Sequence, residues 1–67
     1  MRIACVKNGI VVNVIEVESL DQIPEVVGVD KDGNPINLSE VQIIPTTTGS
    51  VGDIYIENMG FFRTVGI

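Results

Sequence analysis

The sequence predicts an all-β fold of antiparallel hairpins, and three observations lead to that prediction. Short runs rich in Val and Ile recur along the chain, turn sequences such as Asn8-Gly9 and Asp32-Gly33 separate them, and only one short segment carries helix start and stop signals. We expect three successive hairpins in a meander that closes as a small barrel or packs as a two-layer sandwich, with at most one short helical turn.

Length and composition restrict the class of protein. The 67 residues make one small β domain, residues 1–67. The chain has no His and one Cys, which excludes a His/Cys zinc site and a disulfide framework, and we expect no cofactor. Its formal net charge is −5, whereas nucleic-acid binding requires a basic surface, so we do not expect a nucleic-acid-binding protein. With 45% apolar residues, the chain also lacks the composition of a disordered protein.

A chain of this size has little interior in which to hide apolar side chains. Hydrophobic burial and the cost of ordering the chain nearly cancel in such a domain, and the mean hydropathy is +0.38. We therefore expect oligomerisation or docking onto a larger protein to supply part of the stability. The apolar run after Arg2 is too short for a signal peptide or a membrane span, and the single Cys fits synthesis in a reducing cytoplasm.

The first hairpin is predicted between Arg2 and Glu18. Asn8-Gly9 favours a type I′ turn, which needs positive φ at both central residues. A two-residue turn pairs Val6 with Val11, Cys5 with Val12 and Ile3 with Val14. One face then carries Ile3, Cys5, Val12 and Val14, and the other carries Ala4, Val6, Val11 and Ile15, with Asn13 as a polar exception. Because both faces are apolar, we expect both to be covered, and a partner protein is the simplest cover for one of them.

A second hairpin is predicted after one short helical turn. Residues 19–24 predict the turn, with Ser19 as its cap and Pro24 at its end. Residues 25–31 and 34–38 predict the hairpin, with Asp32-Gly33 in the same type of turn as the first. Pro35 has no N–H to donate, so it puts the return strand at a sheet edge. The two hairpins are similar at an offset of 24 residues, through convergence or duplication.

The rest of the chain predicts a further strand and a third hairpin. Apolar alternation breaks near Ser39-Glu40, which predicts a bulge or kink before a strand over residues 41–44. Residues 46–50 form a polar, glycine-containing loop, which we expect to be the most flexible segment. Residues 53–57 and 61–65 then predict a hairpin with Asn58-Met59-Gly60 as its turn.

All three aromatic residues lie in this last hairpin. Adjacent residues on a strand point to opposite faces, so Phe61 and Phe62 must diverge. Two alternatives remain open: both rings are buried in the fold, or one is buried and the other anchors a partner protein. The candidate protein-binding residues are Val11, Tyr55, Phe61 and Phe62.

No group of residues predicts catalysis or metal binding. Cys5 has no His to serve as its base, and its place on a strand predicts a buried thiol. Carboxylate pairs such as Glu16 and Glu18 are common on solvated strand faces. Residues 30–34 begin like a calcium loop, but Pro35 stands where the loop needs Gly and Val41 where it needs Glu. We therefore expect a protein that is not an enzyme, with no catalytic, cofactor-binding or metal-binding residues.

Two segments at the ends of the chain share the pattern of a known group of proteins. Val6-Lys7-Asn8-Gly9-Ile10-Val11-Val12-Asn13-Val14-Ile15 combines a strand, an Asn-Gly turn and a Val-rich return strand. Val51-Gly52-Asp53-Ile54-Tyr55 is followed by Asn58-Met59-Gly60-Phe61 near the end. In these segments the chain resembles small β-rich accessory structural proteins of tailed-bacteriophage virions, from the head, tail and fibre region.

The resemblance implies a non-enzymatic structural component of a virion, made in the host cytoplasm. Such a protein would dock on capsid or tail proteins, for decoration, fibre attachment or joining, through β-edge addition and apolar side chains. We expect it to be a homo-oligomer or bound in an assembly, with no nucleic-acid or membrane partner. The alternative is a small acidic intracellular binding module, such as a phage-encoded inhibitor of a host protein, which would fold as a soluble monomer.

Overall fold

A computed structural model describes residues 1–63, and their regular structure is β apart from two 3₁₀ turns. The strands are β1 (Arg2–Lys7), β2 (Ile10–Glu16), β3 (Val26–Val29), β4 (Pro35–Asn37), β5 (Gln42–Pro45), β6 (Ile54–Ile56) and β7 (Gly60–Phe62). The 3₁₀ turns are Leu20–Gln22 and Leu38–Glu40. The prediction of a small all-β fold is confirmed, with two short helical turns instead of one.

The strands form two antiparallel sheets. Five strands lie in the order β5-β1-β2-β6-β7, and β3 and β4 form a separate two-stranded sheet. The order differs from a meander, because β5 pairs with β1 and β6 pairs with β2. Val27 of β3 and Ile36 of β4 pack against Ile3 and Cys5 of β1, so the small sheet lies as a second layer on the large one.

The two glycine-containing turns differ in conformation. Asn8 and Gly9 have φ values of 53° and 78°, which fits the predicted type I′ turn. The second turn is longer: the N–H of Gly33 donates to the carbonyl of Asp30, and the N–H of Asp30 donates to the carbonyl of Asn34. Because Gly33 alone has positive φ there, the prediction that the two turns are of one type is wrong.

The register of the first hairpin departs from the prediction one pair beyond the turn. Val6 pairs with Val11 as expected, but Cys5 pairs with Asn13 and not with Val12. The ladder is shifted between Cys5 and Val6, so Val12 is the extra residue of a β-bulge in β2.

This bulge exchanges the faces of the side chains that follow it. Val14 packs with Ala4 on one face, whereas Ile15 packs with Ile3 on the other. Both assignments are the reverse of the predicted ones, since a shift of one residue turns each later side chain over. Asn13 moves to the face that carries Ile3, where β3 lies above it.

Both faces of β1 are buried within the single chain. Ile3, Ala4 and Cys5 are 0% exposed and Val6 is 3% exposed. The β3–β4 hairpin covers one face of the large sheet, here called face A. Tyr55 and Phe61 pack on the opposite face, here called face B. For β1, the chain itself supplies the cover that the sequence led us to expect from a partner protein, whereas β2 is mostly half-buried.

Residues 46–53 connect β5 to β6, which lie on opposite sides of the β1–β2 pair. The Arg2 guanidinium donates hydrogen bonds to the carbonyl oxygens of Thr46, Thr48 and Gly49. Gly49 in turn lies against the ring of Phe61, where an added Cβ would be 2.8 Å from a ring carbon. These contacts fix residues 46–50 in place, which the sequence predicts to be the most flexible segment.

The two 3₁₀ turns lie near the predicted irregularities. Leu20–Gln22 occupies the predicted helical turn, although the Ser19 hydroxyl bonds to the Asp21 carboxylate and caps no backbone N–H. Leu38–Glu40 lies at the predicted break before β5. There Asn37 and Glu40 form a capping box, in which the N–H of Asn37 donates to the Glu40 carboxylate over 2.9 Å.

The last hairpin forms where it is predicted, but its bounds differ: the strands are shorter, Gly60 begins the return strand instead of ending the turn, and Arg63 lies beyond β7. Its strand pairs are Ile54 with Phe62, Tyr55 with Phe61, and Ile56 with Gly60. Residues 57–59 form the turn. The predicted end of the return strand at residues 64 and 65 lies outside the described residues.

Candidate functional site

Phe61 and Phe62 have separate environments, as two adjacent residues on a strand require. The Phe61 ring packs on face B with its centroid 4.9 Å from that of Tyr55, beside the buried cluster that includes Val11. Phe62 points to face A and is 41% exposed. Of the two alternatives for these rings, the structure therefore has one ring packed on the core and one open to a partner.

The four candidate protein-binding residues consequently do not form one surface. Val11 is 1% exposed, so its side chain cannot contact a partner in the folded chain. Tyr55 and Phe61 are half-buried on face B. Phe62 is the candidate that lies on an open face.

Phe62 belongs to an exposed apolar row that crosses three strands on face A. Ile10 of β2 pairs with Ile54 of β6, which pairs with Phe62 of β7. Ile56 lies two residues along β6 and shares their face. The four side chains, here called the apolar row, are 38%, 37%, 41% and 43% exposed for Ile10, Ile54, Phe62 and Ile56 respectively.

The apolar row is exposed because the second layer is narrower than the sheet below it. The β3–β4 hairpin has two strands and packs over β1 and its neighbours, through Val27 and Ile36. The β6–β7 end of face A has no such cover among residues 1–63. Contiguous exposed apolar side chains on a small protein commonly mark a protein-binding surface.

The outer edge of β7 adds backbone groups to this surface. The N–H of Tyr55 donates to the carbonyl of Gly9, so the backbone groups of Tyr55 face β2. In an antiparallel ladder its partner Phe61 then directs its own N–H and C=O away from β6. Because β7 is the last strand of the sheet that residues 1–63 form, these groups lie on its outer edge. An extended segment of another chain can add to such an edge.

The other edge of the large sheet lacks one donor for this type of pairing. β5 forms that edge, and its last residue is Pro45, which has no N–H to donate. β7 contains Gly60, Phe61 and Phe62 and has neither Pro nor Lys to block an added strand. The two edges therefore differ, and β7 is the one suited to β-edge addition.

A cleft of about 470 Å³ adjoins the apolar row at Ile10. Val29 of β3 and Val51 of the 46–53 connection lie on its walls, and each is 62% exposed. Its lining is mainly apolar, with Asp30 and Lys31 at the turn of the β3–β4 hairpin. The cleft extends the apolar surface beyond the edge hairpin.

The groups considered for catalysis are separated in the fold. Cys5 is a free thiol, and burial raises its pKa. The Glu16 carboxylate lies 3.0 Å from the N-terminal amine, and the Asp53 carboxylate accepts the N–H of Ser50. Among residues 1–63, His, Cys, Asp and Glu side chains form no group of three with the geometry to hold a metal ion. In the same part of the chain, no helix has the length and apolar character needed to cross a membrane.

Comparison with known proteins adds no family assignment. No protein-family model, no curated protein and no solved structure matches the chain.

Sequence reasoning found one residue of the apolar row and missed the other three. Ile54 and Ile56 alternate with Tyr55, so placing Tyr55 on the core, and not among the binding residues, would have put both Ile side chains on the outer face. The exposure of Ile10 is harder to predict from the sequence, because it depends on how far the β3–β4 hairpin extends over the large sheet. That extent follows from tertiary packing and not from local pattern.

Proposed function

We propose that the chain is a non-enzymatic structural component of a bacteriophage virion that docks on capsid or tail proteins through the β7 edge and the apolar row. The observation that carries this proposal is the combination of an open strand edge with exposed Ile54, Ile56 and Phe62 on the same hairpin. Backbone hydrogen bonds at the edge supply affinity, and the apolar side chains supply specificity. The virion context comes from the resemblance of the two end segments to small phage accessory proteins.

Single substitutions of the two Phe residues test the docking surface. Phe61→Ser removes a ring that packs on the core, so we expect loss of cooperative thermal unfolding. Phe62→Ser removes a ring that is already 41% exposed, so we expect the folded circular-dichroism spectrum to remain while partner binding is lost. Leu20→Ser is a matched control, since Leu20 is 52% exposed and lies outside the apolar row. Equal binding by the Phe62 and Leu20 variants would exclude the apolar row as the docking surface.

Quantitative mass spectrometry tests the location of the protein. Purified particles of the source phage and the infected cells that produce them are compared for the amount of this chain. Presence in particles is the expected result, and the copy number then separates a repeated capsid or tail component from a vertex, fibre or joining component. Absence from particles, with abundance in infected cells, would contradict the virion assignment.

A soluble acidic binding module is the second candidate, and one observation favours it. The chain buries both faces of β1 by itself, so its core is complete without an assembly. With a net charge of −5, such a module would suit a basic surface on a host protein. In this case the chain is monomeric, absent from particles and bound to a protein of the infected cell.

A further inference from the structure

We infer that a second copy of this chain occupies the β7 edge, with the two β7 strands antiparallel about a twofold axis at Phe61. This inference rests on the proposed docking surface: it assigns the β7 edge to a second copy and leaves the joined apolar rows of the dimer for a capsid or tail protein. It follows from three features of the edge hairpin: the direction of the Phe61 backbone groups, the position of Gly60, and the charges at the two ends of the hairpin.

The backbone geometry limits where the twofold axis can lie. Phe61 directs its N–H and C=O to the outer edge of β7, whereas Gly60 and Phe62 direct theirs toward β6. An antiparallel pair centred on Phe61 therefore joins the two Phe61 residues by two reciprocal hydrogen bonds. The same register places Arg63 opposite Met59 of the second copy. An axis at Gly60 would place Phe61 opposite Met59, whose N–H already donates to the carbonyl of Ile56. An axis at Phe62 also permits hydrogen bonds, between Phe61 and Arg63, but it would set the two Phe62 side chains against each other.

The side chains on face A are complementary in this register. Phe62 lies opposite Gly60 of the second copy, which has no side chain to occupy the space in front of it. Gly60 pairs with Ile56 on its own hairpin. The exposed Phe62 ring of one copy can therefore lie over Gly60 and against Ile56 of the other. The twofold axis repeats this contact, and the two apolar rows become one continuous surface.

Charge complementarity selects a second copy over an unrelated strand. Glu57 lies in the turn at one end of the hairpin, and Arg63 follows β7 at the other end; both are exposed. Antiparallel pairing sets the turn of one hairpin beside the open end of the other. Arg63 lies opposite Met59 of its neighbour, and its long side chain can reach across that turn to Glu57. The twofold axis produces this ion pair twice. Each copy carries −5, so two copies repel each other overall, and the two local ion pairs offset part of this repulsion in this register.

The two complementary charge reversals provide the test. Arg63→Glu and Glu57→Arg each place like charges at both contact points of a homodimer, so each variant alone should associate more weakly than the natural chain. An equimolar mixture restores two opposite-charge contacts, so it should form a heterodimer. Analytical ultracentrifugation measures the dissociation constants, and we expect the heterodimer to be roughly tenfold tighter than either homodimer. Glu18→Arg is the control, since Glu18 lies outside the β6–β7 hairpin.

Isotope-filtered NMR on a mixture of labelled and unlabelled chains gives an independent reading of the register. Contacts between the Phe62 ring of one copy and the Ile56 methyl groups of the other are expected. A natural chain that stays monomeric at millimolar concentration overturns the inference, and so does a dimer that neither charge reversal weakens. Either result leaves the docking surface itself testable, because a photo-crosslinking residue at position 10, at the end of the apolar row away from β7, would still capture a capsid or tail protein from assembling particles. If the dimer forms but no capsid or tail protein is crosslinked, the proposed function is wrong while the inference about the dimer stands.

Discussion

The side-chain amide of Asn13 donates a hydrogen bond to the backbone carbonyl of Val27, which joins β2 to the strand that covers it. The bulge at Val12 makes this contact possible, because it turns Asn13 from face B to face A. Gly28, next along β3, lies so close that an added Cβ would be 2.7 Å from the Asn13 amide nitrogen. A polar residue and a glycine therefore fit together between the two sheets.

A double-mutant cycle at these two positions should show strong coupling. Asn13→Ala loses the hydrogen bond and should lower the free energy of unfolding by about 1 kcal/mol. Gly28→Ala should also destabilise the fold, since the new methyl group meets the Asn13 side chain. In the double variant the amide is gone and only the Cβ of residue 13, at 3.3 Å, stays close to the new methyl group. The loss should therefore be smaller than the sum of the two by about 1 kcal/mol. Urea unfolding measures the three values, and additive losses would show that the two residues do not meet.

The same contact shows how far local pattern determines this fold. Asn8-Gly9 predicts its turn and the Val6–Val11 pair because turn conformation depends on those residues alone. The bulge has no comparable local signal: Val12 is a good strand residue, and its displacement follows from the packing of Asn13 under β3. An error of one residue in register then reverses the faces of Val14 and Ile15.

The candidate site has the same mixture of predictable and unpredictable parts. The divergence of Phe61 and Phe62 follows from strand geometry. Which of them would be exposed depends on the 46–53 connection, which brings Gly49 to the Phe61 ring. The pairing of β5 with β1 also could not be predicted, since nothing in residues 42–45 specifies which strand they pair with.

Gly49→Ala should cost more stability than Gly52→Ala. Both positions have positive φ, 92° and 96°, so both substitutions carry a similar backbone penalty of about 1 kcal/mol. An added Cβ at Gly49 also meets the Phe61 ring at 2.8 Å, whereas at Gly52 nothing lies within 4 Å. We expect a further loss of about 1–3 kcal/mol for the Gly49 variant, measured as the difference between the two chemical unfolding curves. Equal losses would mean that the connection does not pack on Phe61.

Replacement of Gly9 by Val tests the first turn. Gly9 has φ of 78°, a conformation that a β-branched residue adopts only with strain. The expected loss in the free energy of unfolding is about 1–3 kcal/mol, seen as a lower melting temperature. Asn8→Gly is the control: it keeps the capacity for positive φ at the neighbouring position and should leave the melting temperature nearly unchanged. A Gly9→Val variant as stable as the natural chain would contradict the type I′ turn.

The capping box at Leu38–Glu40 should make part of the stability dependent on pH. The hydrogen bond from the N–H of Asn37, and secondly the charge of Lys7 at 3.5 Å, lower the pKa of Glu40. A carboxyl group whose pKa is lower in the folded chain stabilises the fold above its unfolded pKa, and this contribution is lost as the pH falls through the folded pKa. Glu40→Gln keeps an acceptor for the capping hydrogen bond but removes the charge. The natural chain should therefore have a higher melting temperature than the Gln variant at pH 7, and the difference should shrink as acid protonates Glu40.

Glu18→Gln, at an exposed position outside the capping box, controls for the general effect of one lost charge. A difference in melting temperature between the natural chain and Glu40→Gln that stays constant down to pH 2 would exclude this linkage.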